Sequence, residues 1–143
     1  MNSLALPSLL LIVPVFAMAK ADSLLDALQG SHRVLILFAP TAGDPQLAEQ
    51  RRRLGDHAAA LRERDVTVIE VIGSAVRRDG HVIEADAAAI RQRQKVDASA
   101  FAVHLIGKDG GTKLRREVPI GIEEINNLID SMPMRKEEIR ERR

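Results

Sequence analysis

The chain contains no cysteine, no tryptophan and no tyrosine. Without cysteine there are no disulfides, no thiolate nucleophiles and no Cys-ligated metals, so packing alone must hold the fold. Three Phe make up the whole aromatic content, and because they lie in apolar segments they cannot form a platform for stacking single-stranded bases. Charge of one sign is also missing. The 21 Lys and Arg are matched by 20 Asp and Glu, which removes the global field that draws nucleic acid or anionic membrane. Nucleic acid is therefore not an expected partner.

What is present is the material for one domain: 143 residues, 45% of them hydrophobic, enough for a single continuous core. Residues 1–19, MNSLALPSLLLIVPVFAMA, carry no charged side chain and end in Ala17-Met18-Ala19. That pattern is similar to a secretory signal peptide cleaved before Lys20, which predicts a periplasmic or secreted protein. It departs from the pattern in having no Lys or Arg near Met1. A retained anchor is the alternative, but a span needs roughly 20 apolar residues and Pro7 and Pro14 interrupt this run. Any membrane contact is expected only through this segment if it stays uncleaved. The expected organisation is a signal peptide over 1–19, one domain over 20–133 and a charged tail over 134–143.

Along the chain, residues 22–28 read as a short amphipathic helix closed by Gly30 and lying as a lid on the sheet. Residues 34–38, VLILF, form the continuous apolar run expected of a central strand covered on both faces. Asp44-Pro45 opens a helix, Asp as cap and Pro at the first helical position. Leu47, Leu54, Ala58 and Leu61 recur at helical spacing and predict one long helix reaching Arg64. Arg51, Arg52 and Arg53 read as a solvated face paired with Glu49 and Asp56; the sharper alternative, an anion-binding patch, is weakened because consecutive helical residues point in different directions.

Residues 66–72, VTVIEVI, are a second strand. Polar residues 74–81 read as a turn, followed by a brief strand at Val82 and Ile83 and a helix over 84–95. Strands over 100–106 and 112–119 flank Lys108-Asp109-Gly110-Gly111, which reads as a hairpin turn. A phosphate-binding loop would lead into a helix, and this one leads into a strand. Residues 122–132 carry Ile122, Ile125, Leu128 and Ile129 on one helical face, and Pro133 is expected to end that helix. Residues 134–143, MRKEEIRERR, read as a frayed surface helix or tail.

The order strand, helix, strand, helix, strand, strand, helix is that of the thioredoxin fold. The strings RVLILFAP, DPQLAEQRRRL, VIEVIG, IGKDGGTKLR and LIDSMPMRKEEIRER resemble a family of exported bacterial proteins, domain of unknown function 4174. That family is thioredoxin-like, related to modules of sushi-repeat extracellular proteins and grouped with peroxiredoxin-like domains. The resemblance covers almost everything after Ser31. It implies an α/β, three-layer sandwich with a central mixed sheet in the order 2-1-3-4, counting the predicted strands along the chain, flanked by helices. No activity comes with the resemblance.

In thioredoxins the loop after the central strand reads Trp-Cys-Gly-Pro-Cys; the matching stretch here is Thr41-Ala42-Gly43-Asp44-Pro45, and both sulfur positions are empty. The peroxiredoxin pattern Phe-x-Cys-Pro-Thr has its nearest counterpart in Phe38-Ala39-Pro40-Thr41, again without sulfur. The thioredoxin cis-proline position falls on Ala102. Thr41 with Asp44 would be a nucleophile beside a carboxylate, but no His lies nearby in sequence to serve as base, and cap and turn roles account for both residues. His32, His57, His81 and His104 are widely spaced and show no metal-binding pattern. The expectation is no catalytic residue, no metal and no cofactor. It leaves an exported, non-catalytic module whose degenerate loop, Ala39, Pro40, Thr41, Ala42, Gly43 and Asp44, recognises an unknown protein or small ligand. The alternative is a redox-type enzyme in which a partner's thiol or a bound cofactor supplies the missing group.

Overall fold

Seven consecutive buried residues, Arg33–Ala39, make the strand on which the rest is built. In the computed structural model, which describes residues 23–143, the elements run α1 (Ser23–Leu28), β1 (Arg33–Ala39), α2 (Pro45–Leu54), α3 (Ala58–Glu63), β2 (Val66–Ile72), β3 (Ala75–Arg78), β4 (His81–Ile83), α4 (Ala87–Gln94), β5 (Ala102–Ile106), β6 (Thr112–Arg116), α5 (Ile122–Asp130) and α6 (Pro133–Glu141). The expected signal segment lies outside the described residues.

The six strands form one mixed sheet in the order β4-β3-β2-β1-β5-β6. β1 pairs parallel with β2 and antiparallel with β5, which demands a helical crossover on one side and allows a hairpin beyond the other. Among the strands expected from sequence, those at 66–72, 33–39, 102–106 and 112–116 keep the order 2-1-3-4. The sheet then continues past β2 through β3 and β4. Successive side chains of β1 alternate between two cores, because strand periodicity is two. Leu35, Leu37 and Ala39 join Leu47 of α2, Leu61 of α3 and Ile122, Ile125 and Ile129 of α5. Val34, Ile36 and Phe38 join Leu25 and Leu28 of α1 and Ala87 and Ile90 of α4. Helices thus cover both faces of the sheet, giving the three layers of a thioredoxin-like sandwich.

Three local expectations are corrected. The long helix after Pro45 is two helices, because the chain turns at Gly55 with φ of +29°, where the Gly55 N–H still bonds the Arg51 carbonyl at 2.9 Å. The apolar spacing of Leu47, Leu54, Ala58 and Leu61 survives the break, so periodicity could not reveal it. The polar stretch 74–81 is mostly strand: β3 pairs antiparallel with β2, and only Asp79 and Gly80, with φ of +47° and +85°, make the tight turn to β4. Two positive φ values in a two-residue loop match the right-handed twist of the flanking strands.

The third correction concerns the charged tail. Pro133 begins a helix rather than merely ending one, and α6 is tied to the ends of α3 and α5 through Arg135, which is buried. Arg135 donates to the Glu63 carbonyl and carboxylate, both at 3.2 Å, and to Asp130 at 3.3 Å. On the same helix Glu138 accepts from Arg33 at 3.1 and 3.2 Å and from Lys108 at 2.7 Å. Arg33 is 1% exposed, so Glu138 neutralises a cation that burial would otherwise make costly. Burial opposes ionisation of Glu138, but the hydrogen bonds and charges of Arg33 and Lys108 outweigh it and hold the carboxyl down at about 2.

Candidate functional site

The loop that follows β1 is built from both ends. At its start, the Ala39 side chain is buried and its carbonyl accepts from the Gly73 N–H at 3.1 Å. At its end, Asp44 caps α2: its carboxylate accepts from the Gln46 N–H at 2.9 Å and the Leu47 N–H at 3.1 Å. Pro45 at the first helical position gives up a donor that would have had no intrahelical partner. Between these anchors Pro40 is half-buried and Thr41, Ala42 and Gly43 are exposed. The Thr41 carbonyl accepts from the Asp44 N–H at 3.3 Å, a turn that accounts for its position without chemistry.

Beneath the loop lies a residue that sequence reading passed over. Arg91 of α4 is 7% exposed, and its guanidinium donates to the Ala39 carbonyl at 3.1 Å, the Gly73 carbonyl at 2.5 Å and the Val71 carbonyl at 3.4 Å. One side chain therefore holds the C-terminal ends of the two parallel strands β1 and β2. No carboxylate of the described residues lies within ion-pair distance of it, and burial pushes its pKa down from the ordinary arginine value. The signal was present in the pattern. Ala87, Ile90, Arg91 and Gln94 are the buried positions of α4, an inward stripe on which two members are polar.

Those polar members behave alike. Gln94 accepts through Oε1 from the Thr112 hydroxyl at 3.3 Å and shares a 3.1 Å hydrogen bond with His104 Nδ1, while Arg115 donates to its carbonyl at 2.7 Å. His104, expected in a strand, is buried in β5 and stands edge-on to Phe38 with ring centroids 5.3 Å apart. Burial, helped by the positive charge of Arg115, pushes its pKa down to about 4, so it is a neutral structural group. Gln50 of α2, buried and also missed, clamps the chain before α5 by accepting from the Ile120 N–H at 2.8 Å and donating to its carbonyl at 3.0 Å.

Ala102, where the thioredoxin cis-proline position falls, is the first residue of β5 and pairs with Phe38 of β1. The arginine triplet is dispersed. Arg52 and Arg53 pair with Glu49 at 2.7 and 2.8 Å, whereas Arg51 reaches the buried Glu70 of β2 at 2.6 Å. Asp56 takes no part, because the break at Gly55 removes it from the helix. Among the described residues no three His, Cys, Asp or Glu side chains are placed to hold a metal ion, and no helix is long and apolar enough to cross a membrane.

The chemistry open to this loop is therefore narrow. A helix N-terminus stabilises a negative charge, and the charge present is the Asp44 carboxylate, already satisfied by two amides. With that geometry in place, residues 24–138 match the family described as Domain of unknown function (DUF4174). The chain belongs to that family. Among curated relatives, Sushi repeat-containing protein SRPX2 of Homo sapiens is 31% identical over 129 residues, covering 87% of this chain and 28% of the relative. Sushi repeat-containing protein SRPX of Homo sapiens is 32% identical over 124 residues, covering 83% and 27%. The family domain here thus spans little more than a quarter of those relatives. Among solved structures it is similar to Plasmodium yoelii Prx1a, with a TM-score of 0.53 at 19% identity over 79% of this chain and 80% of that one. Thioredoxin peroxidase I of Plasmodium yoelii gives 0.53 at 18%, over 78% and 79%. At this identity the likeness speaks for the fold, and the fold of this family member is thioredoxin-like.

Proposed function

We propose that this chain is an exported, non-catalytic thioredoxin-like module that binds a partner protein or small ligand through Ala39, Pro40, Thr41, Ala42, Gly43 and Asp44. The observation that carries the reading is the occupied start of α2: Asp44 takes the Gln46 and Leu47 amides at 2.9 and 3.1 Å, in a chain with no cysteine. Ala42 and Pro45 stand at the sulfur positions, and the helix-start amides that would favour a thiolate are taken by the Asp44 carboxylate. Three exposed residues on a backbone fixed at both ends suit recognition, since a pre-ordered loop loses little entropy on binding. The apolar leader over 1–19 and the small residues before Lys20 support export.

The test is site-specific photocross-linking in intact cells from Ala42, with Lys136 on the exposed side of α6 as the control position. The reading expects a discrete adduct from Ala42 and none from Lys136. Absence of any Ala42 adduct, or equal labelling from both positions, contradicts it. The mass of the protein recovered from the cell envelope tests export: it should begin at Lys20, and an intact Met1 in the cytoplasmic fraction contradicts that part.

A further inference from the structure

On the sheet face covered by α2 and α3, the helical cover has a gap. α2 ends at Gly55 and α3 restarts at Ala58 with three consecutive alanines. Side chains this short leave Leu54 and Val68 only partly buried, and a cavity of about 360 Å³ opens between the two helices and the Asp79-Gly80 turn. Its apolar wall is Leu54, Ala58, Leu61, Val66 and Val68. A mainly apolar concavity with a few polar groups at its edge is the usual form of a small-molecule site.

Charge at the rim is one-sided in availability. Asp79 is committed to the sheet, accepting from the Thr67 hydroxyl at 2.8 Å and the Val68 N–H at 2.9 Å, with Arg78 Nε 3.9 Å away. Arg62, at the same rim, makes no side-chain hydrogen bond or ion pair among the described residues. It also lines an adjoining cavity of about 310 Å³ that includes His32, Asp65 and Arg78, and there Asp65 is held by Lys108 at 2.8 Å. An anion entering this junction meets a guanidinium with all its donors available and two carboxylates already engaged.

We propose that this groove binds a small amphipathic carboxylate, its apolar body against Leu54, Leu61, Val66 and Val68 and its carboxylate on Arg62. At about 30 Å³ per small group in a liquid, the volume admits roughly a dozen non-hydrogen atoms, the size of a medium-chain fatty acid. The site lies by the start of β2, whereas the loop after β1 stands beside its end, Ala39 opposite Ile72. The inference is independent of the proposed role of that loop and stands or falls separately.

The test is an NMR titration of the folded protein with octanoate, octanamide and acetate. Octanoate should shift the amides of Leu54, Ala58, Val66 and Val68 saturably; octanamide should bind the same residues about fivefold more weakly, and acetate should not saturate, as an exposed charge-assisted contact added to an apolar one requires. Arg62→Gln, at an exposed position, should reduce octanoate affinity to that of octanamide and leave octanamide unchanged. Ala58→Leu, which fills the groove, should abolish binding of both with no fall in melting temperature. Equal affinity for octanoate and octanamide, an Arg62→Gln protein that binds octanoate as the wild type does, or shifts that fall elsewhere would overturn the proposal.

Discussion

Arg91 donates to the carbonyl of Ala39 at 3.1 Å, so a helix on one face of the sheet fixes the last residue of the central strand. The same guanidinium holds Val71 and Gly73, and through the Gly73 N–H to the Ala39 carbonyl, at 3.1 Å, the two strand ends are locked to each other. The loop after β1 inherits its position from this arrangement.

Arg91→Met keeps the apolar stem and removes the donors. It should destabilise the fold by about 2–3 kcal/mol, the scale of losing hydrogen bonds from a buried charged group, and should speed amide hydrogen exchange at Gly73 more than at Ile36. Denaturant unfolding and exchange measured on the same protein check this; unchanged exchange at Gly73 would show that the strand ends do not depend on Arg91.

Asp44→Ala removes the cap of α2 and should cost about 1 kcal/mol, while Asp44→Asn, which can still accept through its amide oxygen, should cost a few tenths. Urea unfolding of the two variants distinguishes a capping role from a charge requirement: equal losses would mean that the charge rather than the cap is what α2 needs.

Much of this was legible in the sequence where one local signal determines one local outcome. VLILF could only be a covered strand, Asp44-Pro45 could hardly be anything but a helix start, and Lys108-Asp109-Gly110-Gly111 turns as expected, with Gly110 at φ of +81°. The break at Gly55 was hidden because the apolar spacing continues across it. β3 was hidden because Val76 is its one fully buried side chain and its pairing comes from β2. The buried Arg33, Arg91 and Arg135 were hidden for a deeper reason. An arginine can be buried only where distant carbonyls and carboxylates converge on it, and that convergence is a property of the folded chain. The candidate loop was found by its position after the central strand, and its support from α4 was not.

Glu138 anchors α6, and Glu138→Gln should cost on the order of 3 kcal/mol at neutral pH, because Arg33 stays buried with its charge uncompensated. The pH dependence follows from a carboxyl held at about 2 against 4.5 ordinarily. The stabilisation is fully present above 4.5 and is lost as pH falls from there towards 2. In the Gln variant the part of the acid limb due to this group should be missing, which chemical denaturation across pH 2 to 6 measures.

His104 titrates in the opposite sense from a salt-bridged histidine. Its pKa is about 4 in the fold against 6.5 ordinarily, so the unfolded chain takes up a proton first as pH falls. Above 6.5 the group contributes no pH dependence; between 6.5 and 4 stability should decline, by on the order of 3 kcal/mol in total; below 4 both states are protonated and the decline from this group stops. His104→Gln should flatten that interval. A wild-type profile that is level from pH 6.5 to 4.5 would mean that His104 accepts its proton inside the fold without cost.

The central proposal is that the loop after β1 keeps the place of a redox site and none of its chemistry. Its most direct test is turnover by the purified protein with hydrogen peroxide, and with a disulfide substrate, each in the presence of a dithiol reductant. The account predicts rates equal to those of the reductant alone in both assays, for the wild type and for Asp44→Ala equally. Turnover above that background in either assay, abolished by substitution within residues 39–44, would contradict it.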